Sequence, residues 1–244
     1  MHGAPIISAL ASEKSGVDLV YLALPSTHAE IAKAASLNFQ VHPFAGEELA
    51  RKDLKHTLEL LASIDIAVIG PGLARTKETL EVIKELVSSA PCPLVLDASA
   101  LQSWTLKVVK GKEVILTPHL GELERMGIDR EDIGKVSKEF GVTIHLKDRV
   151  DQIASNGKIT KVAGGNAGLT VGGTGDALAG LIAGLLAQGL QPLEACKTAS
   201  TVIKRAGTKL FTEKGFAYTT RNVICEIPKL LHSLSATASM KFDR

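Results

Sequence analysis

Short runs that are apolar at nearly every position alternate along this chain with segments in which apolar residues recur every three or four positions. The runs are DLVYLAL (18–24), IDIAVIG (64–70), PLVLDAS (93–99) and EVILTP (113–118). Among them stand THAEIAKAASL, TKETLEVIKELVSS, LGELERM and REDIGKVSKEFG. A strand apolar at every position is covered on both faces, and the 3.6-residue period marks amphipathic helices. The pattern therefore predicts an α/β/α sandwich around a mostly parallel sheet. After VTIHLKD (142–148) the pattern changes, and QIASNGKITKVAG holds two strand-like runs joined by SNG, a β-hairpin signature. Helices are expected over Thr174–Gln188, Pro192–Leu210 and Asn222–Leu234. Pro192 suits a first helical position, and Lys204, Arg205 and Lys209 suit the end of that helix, where its dipole favours cations. With no internal repeat or long linker, one domain over 1–244 is expected, with 235–244 as a frayed tail.

Composition narrows the function classes. Of 244 residues, 45% are hydrophobic and 22% charged, enough to bury a large core. The net charge is only +2 and aromatic residues make up 4%, which argues against a nucleic-acid groove built on a basic stripe and stacking rings. Cys92, Cys196 and Cys225 lack the C-x-x-C spacing of a zinc site or redox pair and read as reduced thiols of a cytoplasmic protein. The longest apolar stretch, Ala177–Ala187, falls short of the ~20 residues of a membrane span. The start, MHGAPIISALASEKSG, does not read as a signal peptide.

Open parallel sheets bind ligands beyond the carboxyl ends of their strands. Those ends carry GPG (70–72), Asp97, TPH (117–119), Lys147 with Asp148, and the stretch GGNAGLTVGGTGDALAG (164–180). Gly172-Gly173-Thr174-Gly175-Asp176 enters a helix, whose first turn offers unpaired N–H groups and a partial positive charge to an anion. Asp176 could there accept a proton from an attacking hydroxyl. The alternative is a plain glycine turn with Asp176 complementing the dipole, and these five residues alone leave both open. The GPG turn asks for close backbone approach, either to a ligand or to a neighbouring helix. His119 and Glu122, three apart, face one side of a helix start; one could donate to a ligand and the other hold a Mg²⁺-bound water, or they cap the helix and complement its dipole. Lys147 could lie beside a nucleotide or be a solvated strand end, and Asp97 could face metal or substrate or cap a helix. His2, His28, His42, His56, His145 and His232 show no ligand spacing, and Gly180 and Gly184 are expected to pack against the sheet.

The order of HGAP, GPGL, VLDASAL, LTPHLGELERM, HLKDRVDQI and GGNAGLTVGGTGDALAG resembles the ADP- or ATP-dependent NAD(P)H-hydrate dehydratases of the ribokinase-like superfamily, from about residue 3 to about residue 215. The resemblance implies phosphorylation of the hydroxyl at C6 of a hydrated nicotinamide ring, then elimination of phosphate to restore NADH or NADPH. It implies Asp176 as the base and Gly173, Thr174 and Gly175 as the phosphoryl cradle. Ala4, Gly72, His119 and Asp176 would line the hydrated dinucleotide, and Lys147, Asp148, Arg149, Val150 and Asp151, with Gly175, the adenine nucleotide. Mg²⁺ is expected, near Glu122 through water, and a homo-oligomer, with a tetramer within range. The chain departs from the pattern at two places. Asp148 replaces the usual glycine after the lysine, and the family's N-terminal strand and glycine-rich loop do not precede HGAP, so either the sequence begins after the family's usual start or the sheet is one strand short with part of the dinucleotide pocket missing. The alternatives are a small-molecule kinase of the same superfamily, acting on a hydroxymethylpyrimidine, a thiazole alcohol or a sugar, and a catalytically weak nucleotide-binding module.

Overall fold

A computed structural model describes residues 3–237. His2 and residues 238–244 of the expected tail lie outside the described residues. The elements run α1 (Gly3–Glu13), β1 (Val20–Pro25), α2 (Ala29–Ala35), β2 (Phe39–Phe44), α3 (Leu54–Leu61), β3 (Ala67–Ile69), α4 (Lys77–Ser89), β4 (Leu94–Leu96), α5 (Thr105–Val109), β5 (Val114–Leu116) and α6 (Leu120–Arg125). They continue with α7 (Ile133–Phe140), β6 (Thr143–Leu146), β7 (Asp151–Ser155), β8 (Lys158–Val162), α8 (Thr174–Ala187), α9 (Pro192–Lys214) and α10 (Thr220–Thr237). Strands β3 to β8 form one sheet in sequence order, parallel through β6 and antiparallel across the β7–β8 hairpin. Asn156 and Gly157 turn that hairpin with φ of 47° and 83°, the left-handed pair that a two-residue turn requires.

The fully apolar runs are explained by what covers them. Leu94 and Leu96 of β4, Val114 and Leu116 of β5, and Ile144 and Leu146 of β6 face a layer containing α3, α4, α5 and α7. Val95 and Ile115, between them in sequence, face α8, α9 and α10. Each such aliphatic side chain contributes roughly 1.5–3 kcal/mol by leaving water, so a polar residue at any of these positions would weaken the packing of that layer on the sheet.

One expectation is corrected here. The first apolar run does not join the main sheet: among the described residues, β1 pairs in parallel with β2 alone, forming a separate two-stranded sheet. Between β1 and the edge strand β3 lies a cavity of about 730 Å³, lined by Val20–Ala23, by 66–70, by Ser8 and Ser12 of α1, and by Ala183 and Ala187 of α8. The helix with Lys204 is also longer than expected, ending at Lys214, so Lys204 sits mid-helix instead of in the last turn.

Gly180 and Gly184 are packing positions, but against α1 and not against the sheet. A Cβ at Gly180 would lie 2.0 Å from the Ser8 carbonyl oxygen, and one at Gly184 2.1 Å from Ser15 Oγ. Ser8 therefore neighbours Gly180, and Ser15, just past the end of α1, neighbours Gly184 and donates to the Ser12 carbonyl, while the Gln188 side-chain amide reaches the Ser15 carbonyl at 2.8 Å. The two helices thus run in the same direction, which puts their N-termini, Gly3–Ala4 and Gly173–Asp176, at one end of the molecule.

Candidate active site

The carboxyl ends of β4, β5 and β6 bring three predicted positions together around one ammonium. Lys147 follows β6, and its Nζ lies 2.6 Å from Asp97 Oδ1 after β4 and 3.6 Å from Glu122 Oε2 in α6. Thr117, ending β5, donates to the same Asp97 oxygen at 2.9 Å. Asp97 is thus not a helix cap, and its side chain makes no capping bond. Nor is Lys147 a solvated strand end, since its side chain is only 18% exposed. Burial alone would lower its pKa, but Asp97, Glu122 and Asp176 more than offset this and raise it, so the ammonium stays charged.

Glu122 is buried and does two things at once. Its Oε2 accepts from the His119 amide at 3.0 Å while His119 Nδ1 accepts from the Glu122 amide at 3.3 Å, a reciprocal cap of α6. His119 Nε2 stands 3.4 Å from Glu122 Oε1, and the imidazole is 56% exposed. The capping expectation for this pair holds, and the capping bonds use Glu122 Oε2 and His119 Nδ1, leaving Oε1 and Nε2 outside them.

On the other side stands the glycine-rich stretch, shaped by long-range bonds. Asn166 accepts from the Gly168 amide at 2.8 Å and from Tyr218 OH at 2.7 Å, and donates to the Gly207 carbonyl at 2.7 Å. Thr220 donates to the Gly172 carbonyl at 2.8 Å. These bonds hold the chain so that Gly173, at φ 96°, makes the left-handed step into α8, which a β-carbon would strain. A Cβ there would also lie 2.6 Å from Ile7 Cδ1 of α1. Thr174 donates to the Val171 carbonyl through both Oγ1 at 2.9 Å and its amide at 3.3 Å, and the Gly175 and Asp176 amides follow at the head of a 14-residue helix. Gly175 faces Lys147, whose Nζ would be 3.3 Å from a Cβ at that position.

Asp176 completes the cluster. Burial raises its pKa, Asp97 and Glu122 raise it further, and Lys147 pulls it back; the carboxyl settles at about 6. Three carboxylates, Asp97, Glu122 and Asp176, thus surround a single cation in front of a helix N-terminus. Ala4 begins α1 at the same end, and Gly72 lies half-buried in the turn after β3. That turn is tied down by Ser99, which donates to the Leu73 carbonyl at 2.7 Å. The other GPG glycine backs onto a neighbouring strand end rather than a helix, with a Cβ at Gly70 1.7 Å from the Asp97 carbonyl oxygen.

The 147–151 segment is only partly turned outward. Arg149 and Val150 are exposed, but Asp148 and Asp151 are engaged within the protein. Asp148 Oδ2 pairs with Arg130 at 2.7 Å, so the charge that replaces the family glycine is neutralised. Asp151 accepts from Ser200 at 2.6 Å and from the Asp148 amide at 3.0 Å, lies 3.2 Å from His145 Nε2, and pairs with Lys204 at 3.3 Å. Burial would raise its pKa, yet His145, the Asp148 amide and the Ser200 hydroxyl hold it down to about 2. Neither Arg130 nor Lys204 was selected by spacing in the sequence, because their partners lie 18 and 53–56 residues away. Among the described residues, no three His, Cys, Asp or Glu side chains are grouped to hold a metal by themselves, and no helix is long and apolar enough to cross a membrane.

The pattern of a family described as NAD(P)H-hydrate dehydratase matches residues 1–229. An ADP-dependent (S)-NAD(P)H-hydrate dehydratase of Nitrosopumilus maritimus is 36% identical over 243 residues, covering 94% of this chain and 84% of that protein. Among solved structures, a ribokinase-like superfamily protein of Enterococcus faecalis superposes with a TM-score of 0.81 at 23% identity, over 95% of this chain and 82% of the other. The Bacillus subtilis ADP/ATP-dependent NAD(P)H-hydrate dehydratase, co-crystallised with ATP and Mg²⁺, gives 0.79 at 23%, over 96% and 85%. The fold is therefore ribokinase-like, as the motif order implied.

Proposed function

This chain belongs to the NAD(P)H-hydrate dehydratase family, and on that footing we propose that it converts hydrated NADH or NADPH to the reduced dinucleotide at the expense of an adenine nucleotide. The observation that carries this reading is Asp176, set in the first turn of α8 with its carboxyl near pKa 6. A base needs a pKa close to the working pH, and a site that only bound a phosphate would gain nothing from an anion beside it. Asp176 takes the proton of the C6 hydroxyl as its oxygen attacks the terminal phosphorus of the nucleotide. The amides of Gly173, Thr174 and Gly175 receive the charge on the transferring group. Breaking the C6–O bond then expels phosphate, and loss of a ring proton restores the double bond.

Ala4, Gly72 and His119 line the dinucleotide, and Lys147, Asp148, Arg149, Val150 and Asp151, together with Gly175, form the nucleotide side. Lys147 stays charged between Asp97 and Glu122 and keeps these carboxylates from repelling the phosphates. Mg²⁺ fits this donor set, because one ammonium leaves the three carboxylates with excess negative charge, and this ion is usually held by one or two carboxylates, waters and phosphates. Glu122 would hold it through water, and the ion would supply charge neutralisation at the nucleotide. ADP is the donor favoured by the name of the Nitrosopumilus relative, and the (S) hydrate is the epimer in that name. We place the enzyme in the cytoplasm, working as one domain in a homo-oligomer, an assembly that sedimentation reads directly.

The test is incubation with hydrated NADH, Mg²⁺ and either ADP or ATP, following the absorbance of reduced nicotinamide. Recovery of that absorbance supports the proposal. No recovery with either nucleotide from a folded sample overturns it, and a stable phosphorylated sugar or vitamin precursor formed instead would favour the kinase alternative.

A further inference from the structure

Resting on the nucleotide reading above, we propose that Lys204 and Arg130 are positioning residues that hold the 147–151 segment in its nucleotide-binding shape from two opposite sides. Lys204 belongs to α9 and is only 7% exposed, in a place where an ammonium needs partners to remain charged. It has three: the Asp148 carbonyl at 3.2 Å, the Arg149 carbonyl at 3.2 Å and Asp151 Oδ1 at 3.3 Å. Two successive carbonyls are thereby turned inward. Because a trans peptide is planar, its N–H points opposite to its carbonyl, so Lys204 directs the Arg149 and Val150 amides outward. The Arg149 amide is met by Asp148 Oδ1 at 2.7 Å, and the Val150 amide is aimed toward the exposed face of the loop.

The outer side is fixed by Arg130, which begins the 3₁₀ turn before α7. Its Nη2 pairs with Asp148 Oδ2 at 2.7 Å. With the Gln152 amide oriented so that its oxygen meets donors, Arg130 also reaches Gln152 at 2.7 and 2.9 Å. The guanidinium thus spans the loop from Asp148 to the first residues of β7. Lys204 has a second neighbour of consequence. Its Cγ and Cα would lie 3.4 and 3.6 Å from a Cβ at Gly165, where the glycine-rich stretch begins. One side chain therefore sets the loop and abuts the turn that leads to Asp176. The other groups facing Asp151 within this cluster are His145 and Ser200, both buried. Positioning by these residues acts on nucleotide affinity and not on the proton transfer at Asp176.

The test titrates Mg²⁺·ADP calorimetrically into the full chain, and measures KM and kcat beside it. Lys204→Met removes the ammonium at similar length and is expected to raise Kd and KM for the nucleotide about tenfold or more, as loss of charge-assisted hydrogen bonds does, with kcat at saturation nearly unchanged. Since this variant also leaves Asp151 buried without its cation, Arg130→Gln provides a second arm at the surface. It frees the Asp148 carboxylate beside the phosphate path, so Kd should rise and should be lowered again by added salt that screens the new repulsion. Wild-type Kd in both variants overturns the proposal, as does a fall in kcat with Kd unchanged. Absence of nucleotide binding by the wild-type chain instead overturns the functional reading on which this rests.

Discussion

The contact between α1 and α8 leaves no room for a side chain at Gly180, and Gly180→Ala tests it. A Cβ at Gly180 would stand 2.0 Å from the Ser8 carbonyl oxygen and 2.9 Å from Ser8 Cα, both backbone atoms that no rotamer change can move. Ordinary contact begins near 3.4 Å, so α1 must retreat by about 1.4 Å. Overpacking of this kind costs typically ~1–3 kcal/mol, while the Gly→Ala gain in helix propensity returns at most ~1 kcal/mol. A clash of 2.0 Å with backbone falls at the upper end of that range, so the net loss is about 2 kcal/mol and corresponds to a fall in Tm of roughly 4–8 °C for a chain of this size. Because α1 also carries Ala4 and packs Ile7 near Gly173, the same shift should raise KM for the hydrated dinucleotide. Thermal unfolding followed by circular dichroism, with steady-state kinetics on the same samples, measures both. A variant with unchanged or higher Tm and unchanged KM would refute the claim that α1 is seated on α8 through this glycine.

The carboxyl of Asp176 near pKa 6 must be ionised to act as base, so kcat/KM should fall about tenfold per pH unit below about 6 and level off above it. Lys147→Met removes the cation that pulls this pKa down, which moves the acid limb to higher pH; a limb that stays or moves lower contradicts the electrostatic account. Asp151 is held at about 2, below its ordinary value near 3.8, so it contributes stability that is full above about pH 4 and is lost as pH falls toward 2. This amounts to about 2 kcal/mol in urea unfolding compared at pH 5 and pH 2. Ser200→Ala removes one of the bonds responsible and should shrink that loss; the same acid loss with and without the Ser200 hydroxyl would show that this bond does not hold the carboxyl down.

What was legible in the sequence followed from periodicity. Strands β4, β5 and β6 were readable because both their faces are buried, and the hairpin because Asn156-Gly157 can adopt only a narrow set of turns. Elements whose order depends on tertiary partners were not. The α1 segment has no acidic residue in its first turn and no basic residue in its last to mark it as a helix, and a small residue such as Ala11 matters because α8 lies against it. Strand β2 contains His42 and Pro43, which weaken a strand pattern but are tolerated in a strand with one bonded neighbour. At the site, the residue types at the strand ends were visible, while the electrostatics were not. The pair of Lys147 with Asp97 spans 50 residues, and Lys204 reaches a loop 55 and 56 residues earlier, distances over which no local pattern operates. For that reason Lys204 resembled an ordinary C-terminal helix cation, and Asp97 stayed open between a site residue and a cap.

The central claim is that Asp176 is the base of a nucleotide-dependent dehydration, and one comparison tests it most directly. Wild-type protein and Asp176→Asn are each given hydrated NADH, Mg²⁺ and ADP, with nucleotide binding measured separately on both. Loss of a general base is worth about 10²–10⁴ in rate, so the Asn variant should restore the nicotinamide absorbance at least about a hundredfold more slowly, with nucleotide affinity kept or increased because an anion has left the phosphate site. Turnover by Asp176→Asn within a few-fold of wild type would contradict the account.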